Sequence, residues 1–127
     1  MQEKHLFEYA VIRIVPKVER EEFLNVGVVV YCSKQKILKI LFELNEERLR
    51  AFSNNIDINE VREYLTAFER ICLAAPGSGP IGKLPAAERF RWLTATRSTI
   101  VQTSKVHPGF CTNADDILTR LYTQLVL

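Results

Sequence analysis

The side chains best suited to chemistry in this chain are two arginines, one asparagine, one glutamate and one serine. Arg13 lies near the end of a predicted strand, Asn25 begins the next strand, and Arg97 begins a later one. Antiparallel pairing brings the end of one strand beside the start of the next, so we expect these groups to meet at one end of a sheet. The candidate anion-binding residues are Arg13, Glu22, Asn25, Arg97 and Ser98.

This predicted cluster has two interpretations. Guanidinium and amide groups donate hydrogen bonds in directions that suit a phosphate or a carboxylate, which indicates an anion site. In the other interpretation Glu22 supplies the carboxylate from within the chain, and the cluster is an ion pair that stabilises the fold. We favour the ion pair, and we expect Asn25 to hold the charged 17–23 connection through hydrogen bonds to its backbone.

A second candidate is the basic segment from Lys83 to Lys105. It carries five basic residues against one acidic residue, Glu88, and two aromatic residues are interleaved with the arginines. Basic side chains bind phosphates and aromatic rings stack on bases, so the segment is a candidate nucleic-acid surface. On a helix, however, residues 89–92 point in four directions, which also fits aromatics in the core and arginines in solvent. The candidate contacts are Lys83, Arg89, Arg91 and Lys105.

The sequence contains no complete catalytic, metal or cofactor motif. Glu21 and Glu22 are adjacent and diverge on a helix or a strand, so they do not readily share a proton or a metal. A histidine can act as a general base, but the sequence shows no nucleophile beside His107. The glycines at 77–79 and Lys83 fit neither the dinucleotide fingerprint nor the phosphate-binding loop. We therefore predict no catalytic residue, no metal and no cofactor.

Composition favours a cytoplasmic globular protein with a single domain over residues 1–127. Of the 127 residues, 47% are hydrophobic and 25% are charged, with a net charge of +2, which is close to the average for globular proteins. No apolar run reaches the roughly 18 residues of a membrane span, so no membrane association is expected. Cys32, Cys72 and Cys111 form no CxxC pair and are typical of free, buried thiols in a reducing compartment.

Three consecutive strands must position the predicted cluster. The central one is a nearly continuous apolar run from Leu24 to Cys32, interrupted by Asn25 and Gly27, which indicates a strand covered on both faces. Asn25 and Gly27 are two residues apart, so they are expected to share one face as a polar notch. Glycine in a strand marks a bulge or a close approach of other backbone. The short polar link 33–36 predicts a hairpin, so the first three strands form a meander.

Helix signals follow the meander. Asn45, Asp57 and either Thr112 or Asn113 are predicted N-caps, and apolar residues from Ile58 to Cys72 recur at helical spacing. The segment 76–85 is rich in proline and glycine and predicts a flexible loop, and 107–109 predicts a turn. The predicted fold is α+β, an antiparallel sheet of about four strands (7–15, 24–32, 36–43 and 97–104) covered by helices over 45–52, 58–74, 85–94 and 113–126.

Several short motifs carry a family resemblance. They are Tyr9-Ala-Val-Ile-Arg-Ile-Val-Pro16, Glu22-Phe-Leu-Asn-Val-Gly-Val-Val-Val30, Phe90-Arg-Trp-Leu93, Arg97-Ser98 and the Cys111-Thr112 segment. Together they resemble the bacterial DUF3037 family over nearly the whole chain. The positions that match its motif are Arg13, Pro16, Glu22, Asn25, Gly27, Arg97 and Ser98. The family has no assigned reaction, and its members tend to be encoded beside HipA-like kinases.

Three functions follow from these observations. The resemblance implies a small accessory protein that binds a protein partner, with a HipA-like kinase as the expected partner. The basic segment 83–105 supports a nucleic-acid- or phosphate-binding protein instead. A phosphoester hydrolase that uses Glu22, His107 and the arginines ranks last, because no nucleophile and base are paired in the sequence.

Overall fold

The computed structural model describes residues 3–17, 20–97 and 99–127, so Ser98, a predicted anion ligand, lies outside the described residues. The strands are β1 (His5–Ile14), β2 (Leu24–Cys32), β3 (Ile37–Phe42), β4 (Val101–Thr103) and β5 (His107–Cys111). The helices are α1 (Glu46–Phe52), α2 (Ile58–Cys72), α3 (Gly79–Gly82), α4 (Ala86–Leu93) and α5 (Ala114–Leu125). Among the described residues, no helix has the length and apolar character needed to cross a membrane.

The five strands form one antiparallel sheet, which confirms the predicted α+β class and the meander. The order is β3-β2-β1, and the outer edge of β1 pairs with β5 along its first half and with β4 along its second half. The prediction of a turn at 107–109 is wrong, because these residues belong to β5. Proline is tolerated on an edge strand, where its missing N–H faces away from the ladder, and Pro108 pairs with Glu8 on that edge.

Both faces of the sheet are buried, as the apolar run in β2 predicted. Helices α1, α2 and α4 cover one face, where Ile12, Ile14 and Val29 enter the core. Helix α5 covers β2 and β3 on the other face, against Val28 and Val30. Helices α1, α2 and α5 begin where their caps were predicted, because the side chains of the caps accept hydrogen bonds from backbone N–H groups in the first turn. These caps are Asn45, Asp57 and Asn113.

A bulge in β2 changes which face Asn25 occupies. Ile12 pairs with Gly27 and Arg13 pairs with Asn25, so Val26 is an extra residue without a partner in β1. The prediction that Asn25 and Gly27 share one face is therefore wrong, because each extra residue reverses the alternation of a strand. Gly27 does mark a close approach, since a Cβ there would lie 2.7 Å from the carbonyl oxygen of Leu41.

Two further segments differ from the prediction. The predicted loop 76–85 contains the helical turn α3, and its mobility stays a prediction. The predicted strand 97–104 is regular only over β4, so Arg97 precedes the strand instead of beginning it. The three cysteines are unpaired and buried, as predicted. Burial raises the pKa of Cys72 to about 12, so this thiol stays protonated and unreactive at neutral pH.

Ser104 joins β4 to β5 along the edge of β1. Ile12 pairs with Thr103, and Tyr9 pairs with His107. These two pairs are three residues apart in β1 but four residues apart in the segment from β4 to β5, which therefore contains one extra residue. The extra residue is accommodated because Ser104 bonds twice to Val11. Its N–H donates to the Val11 carbonyl oxygen at 2.8 Å, and its Oγ accepts from the Val11 N–H at 2.8 Å.

Replacing Ser104 by alanine tests this junction. The Ser104→Ala protein leaves the buried N–H of Val11 without a partner, so we expect the free energy of unfolding to fall by about 1–3 kcal/mol. Urea denaturation measures the change. The matched control is Ser33→Ala, in the exposed turn after β2, which should change stability by less than about 0.5 kcal/mol. Equal stability of the two variants would contradict the role of Ser104.

Candidate functional site

The structure brings Arg13 and Asn25 together, as the sequence predicted. They are cross-strand neighbours on the sheet face that α5 covers in part. The guanidinium carbon of Arg13 lies 3.9 Å from the centre of the Phe23 ring, which is a cation–π geometry. Burial lowers the pKa of Arg13, although an arginine stays charged in a protein. Arg13 therefore meets an aromatic ring where the sequence predicted a carboxylate.

Asn25 serves the end of the last helix. The final carbonyl groups of a helix have no partner within it. Here Asn25 Nδ2 donates to the Leu125 carbonyl oxygen at 3.1 Å, and Arg48 Nη1 donates to that of Val126 at 2.9 Å. The donors also complement the negative end of the helix dipole. Asn25 thus holds α5, and the expected bonds to the 17–23 connection do not form among the described residues.

Glu22 does not pair with Arg13. Its carboxylate forms an ion pair with Arg20, and both side chains are more than half exposed, at 55% for Glu22 and 64% for Arg20. Exposed ion pairs of this kind contribute little to stability. Both residues line an open cavity of about 400 Å³ beside the end of α1, together with Pro16, Lys17 and Arg50. The favoured interpretation, an internal ion pair of Arg13 and Glu22, is therefore not what the geometry shows.

Arg97 lies on the opposite face of the sheet, so the predicted cluster is divided into two places. Its guanidinium carbon lies 4.5 Å from the centre of the Trp92 ring and 5.5 Å from that of Phe68. Its Nη2 also donates a hydrogen bond to the backbone carbonyl of Trp92. Phe68 belongs to the core under α2 and α4, whereas Arg13 and Asn25 point toward the side of α5. Burial lowers the pKa of Arg97.

Arg97 lines a groove between α2 and α4, which we name the aromatic groove. Its cavity has a volume of about 520 Å³. The residues that define it are Tyr64, Ala67, Phe68, Ile71, Trp92, Ala95, Thr96, Arg97, Thr99 and Val101. Tyr64 is 39% exposed and Trp92 is 38% exposed, although both side chains are large and apolar in part. Arg97 is the single charged residue in this lining, as far as the described chain shows.

The aromatic groove is not predicted by the sequence. Phe68 belongs to the apolar stripe of α2 and is buried, whereas Tyr64 lies beside that stripe and is exposed. Their spacing of four places them on one side of α2. The available signal was this aromatic pair together with Trp92, five residues before a family-motif arginine, Arg97.

The basic segment divides into internal and exposed residues. Arg89 donates to the carbonyl oxygens of Leu84, Ile71 and Cys72, the last at 2.6 Å, so its side chain is committed to the end of α2. The other three candidates, Lys83, Arg91 and Lys105, are exposed.

The residues proposed for hydrolysis do not meet. His107 pairs with Tyr9 across the sheet, and its ring lies 5.2 Å from the Tyr9 ring. Glu22 precedes Leu24, which pairs with Ile14. Five residues of β1 separate these positions, about 17 Å at the rise of a strand. Within the described ranges, no three His, Cys, Asp or Glu side chains are grouped as metal ligands would be.

Comparison with known proteins gives one match. A family model described as a protein of unknown function, DUF3037, matches residues 9–126. No curated protein and no solved structure matches the chain.

The role of Asn25 in holding α5 can be tested by mutation. Asn25→Ala and Arg48→Met each remove one hydrogen bond to the end of α5, so we expect each to lower the free energy of unfolding by about 1 kcal/mol. Amide hydrogen exchange should quicken most in the last turn of α5. Asn55→Ala, at an exposed position, is the control. Unchanged stability and exchange in Asn25→Ala would mean that Asn25 does not hold α5.

Proposed function

The chain belongs to the DUF3037 family, whose function is unknown, and from this premise we propose that it is an accessory protein that binds a protein partner. The observation that carries the proposal is the aromatic groove, where Tyr64 and Trp92 remain exposed around a stacked arginine. Tryptophan, tyrosine and arginine are the residues most enriched at the energetic centres of protein interfaces.

The shape of the groove supports binding rather than catalysis. Its walls are helices α2 and α4, which both pack on the core, and its floor is Phe68 and Val101. A rigid concave surface loses little entropy when a partner docks. Each apolar side chain that enters the groove displaces water from Tyr64 and Trp92. Removing apolar surface from water is favourable by about 25 cal/mol for each Å² buried.

The partner that we propose is a HipA-like kinase in the bacterial cytoplasm. The support is the resemblance to a family whose members tend to be encoded beside such kinases. The groove lies on the side of the sheet covered by α2 and α4. A partner that binds there leaves the sheet and helix α5, on the other face, undisturbed.

Replacing Trp92 tests the proposed interface. Trp92→Ala should weaken binding of the purified kinase by about 2 kcal/mol or more, the loss typical of an aromatic at an interface centre. Isothermal titration calorimetry measures the affinity, and circular dichroism checks that the variant is folded. The control is Phe110→Ala, because Phe110 is 70% exposed on β5, away from the groove. A loss of binding in the control alone would place the interface on β5, and no complex with the wild-type protein would refute the kinase as partner.

A second candidate function is nucleic-acid binding by the basic segment, which the exposed Trp92 and the exposed Lys83, Arg91 and Lys105 favour. We expect affinity for a single-stranded oligonucleotide to fall as salt rises. Replacing the three exposed basic residues by alanine should reduce the slope of log K against log salt by about 2, at about 0.7 for each phosphate contact. Filter binding at several salt concentrations measures this slope. An affinity that does not change with salt concentration would exclude this function.

A further inference from the structure

We propose that the aromatic groove recognises an acidic amphipathic helix of the partner protein. One apolar side chain of that helix fills the groove, and an Asp or Glu three or four residues away pairs with Arg97. The inference rests on the proposed function and adds the chemistry of the partner. It follows from the donors that Arg97 keeps, from its surroundings, and from the size of the cavity.

Arg97 has hydrogen-bond donors to spare. A guanidinium carries five N–H donors, and the described structure uses Nη2 for the backbone carbonyl of Trp92. The described residues show no further hydrogen-bond partner for its other nitrogens, and Arg97 is partly exposed and lines the cavity. The ion pairs among the described residues engage Arg20, Lys39 and Arg62 and do not include Arg97.

The surroundings of Arg97 select for a carboxylate. Its guanidinium carbon lies within cation–π distance of both the Trp92 and the Phe68 ring, at the wall of the groove. An apolar occupant without a charge would bury this cation further and leave it uncompensated, which is costly. A basic occupant would be repelled. An acidic side chain can bond to the free edge of the guanidinium in a bidentate geometry.

The cavity is large enough for both groups. A volume of about 520 Å³ lies within the range of about 300–1,000 Å³ that ligand sites occupy, so it holds more than one side chain. On a helix, residues three or four apart are neighbours, with Cβ atoms about 5–6 Å apart. An apolar anchor and a carboxylate at that spacing can enter the groove together. Amphipathic helices that bind in grooves commonly use anchor residues three or four positions apart.

The first experiment selects peptides that bind the protein from a random library. A phage-displayed library of random 12-residue peptides is selected on the wild-type protein and counter-selected on Trp92→Ala. We expect enriched peptides to carry Asp or Glu three or four residues from Phe, Leu or Trp. Enriched peptides without an acidic residue at that spacing would overturn the inference, and so would failure of any peptide to prefer the wild-type protein.

The second experiment measures the coupling to Arg97. One enriched peptide is synthesised with its Glu and with Gln at the same position, and each is titrated while the fluorescence of Trp92, the single tryptophan of the chain, is followed. We expect the Gln peptide to bind about tenfold more weakly to the wild-type protein, as for the loss of a charged hydrogen bond. With Arg97→Gln the two peptides should differ by less than twofold, and Arg97→Lys should restore part of the difference.

The results separate the inference from the proposed function. An equal loss for the Gln peptide on wild-type and Arg97→Gln proteins would overturn the inference, even if Trp92→Ala still abolishes kinase binding. Concentration-dependent self-association that Trp92→Ala removes would identify a second copy of this chain as the occupant, which would also overturn it. Kinase binding that is indifferent to Trp92→Ala would refute the groove as the interface of the proposed function.

Discussion

Strand β1 forms backbone hydrogen bonds along both of its edges, which leaves only its two faces for helices to pack against. One edge bonds to β2 and the other to β5 and then to β4. A strand bonded on both edges presents only its faces to other elements, so its alternate residues must enter different cores. Ala10, Ile12 and Ile14 enter the core under α1, α2 and α4, while Phe7 enters the core under α5. Helices α1, α2 and α4 pack on the first of these faces, and α5 packs on the second.

The single extra residue in β2 then decides what the polar side chains do. In a regular strand without the bulge, Asn25 would share the face of Gly27 and point toward α2 and α4, as Ile12, Ile14 and Val29 do. With the bulge it faces α5, where it binds the Leu125 carbonyl. Strands β1 to β3 and helices α1, α2, α4 and α5 were predictable, because apolar periodicity and the residues that begin helices are local signals. The bulge and β5 were not predictable. The Pro108-Gly109 pair is typical of a turn, and it forms a strand here because it pairs with the free edge of β1.

The aromatic groove was hidden for a related reason. Charged and aromatic residues alternate over 89–92, and on a helix these four side chains point in four directions. The sequence pattern therefore does not show which aromatic side chain faces the core. Phe90 and Trp92 are about 200° apart on α4, and only one of them can face the core. Phe90 is buried against Tyr31 of the sheet, which forces Trp92 outward. The exposure of Trp92 is thus a consequence of core packing, and the sequence alone does not specify which aromatic is chosen.

The two arginines of this region have different tasks, and the first makes the second effective. Arg89 bonds to the end of α2 and to Leu84, two residues before α4, so it ties together the two helices that form the walls of the groove. Arg97 lies near one ring from each of these helices, Phe68 on α2 and Trp92 on α4. A guanidinium held in this way is ready to bind without rearrangement, which lowers the entropy lost on binding. Burial leaves the Arg97 charge partly desolvated in the isolated chain, and the carboxylate of the acidic partner that we propose would offset this cost.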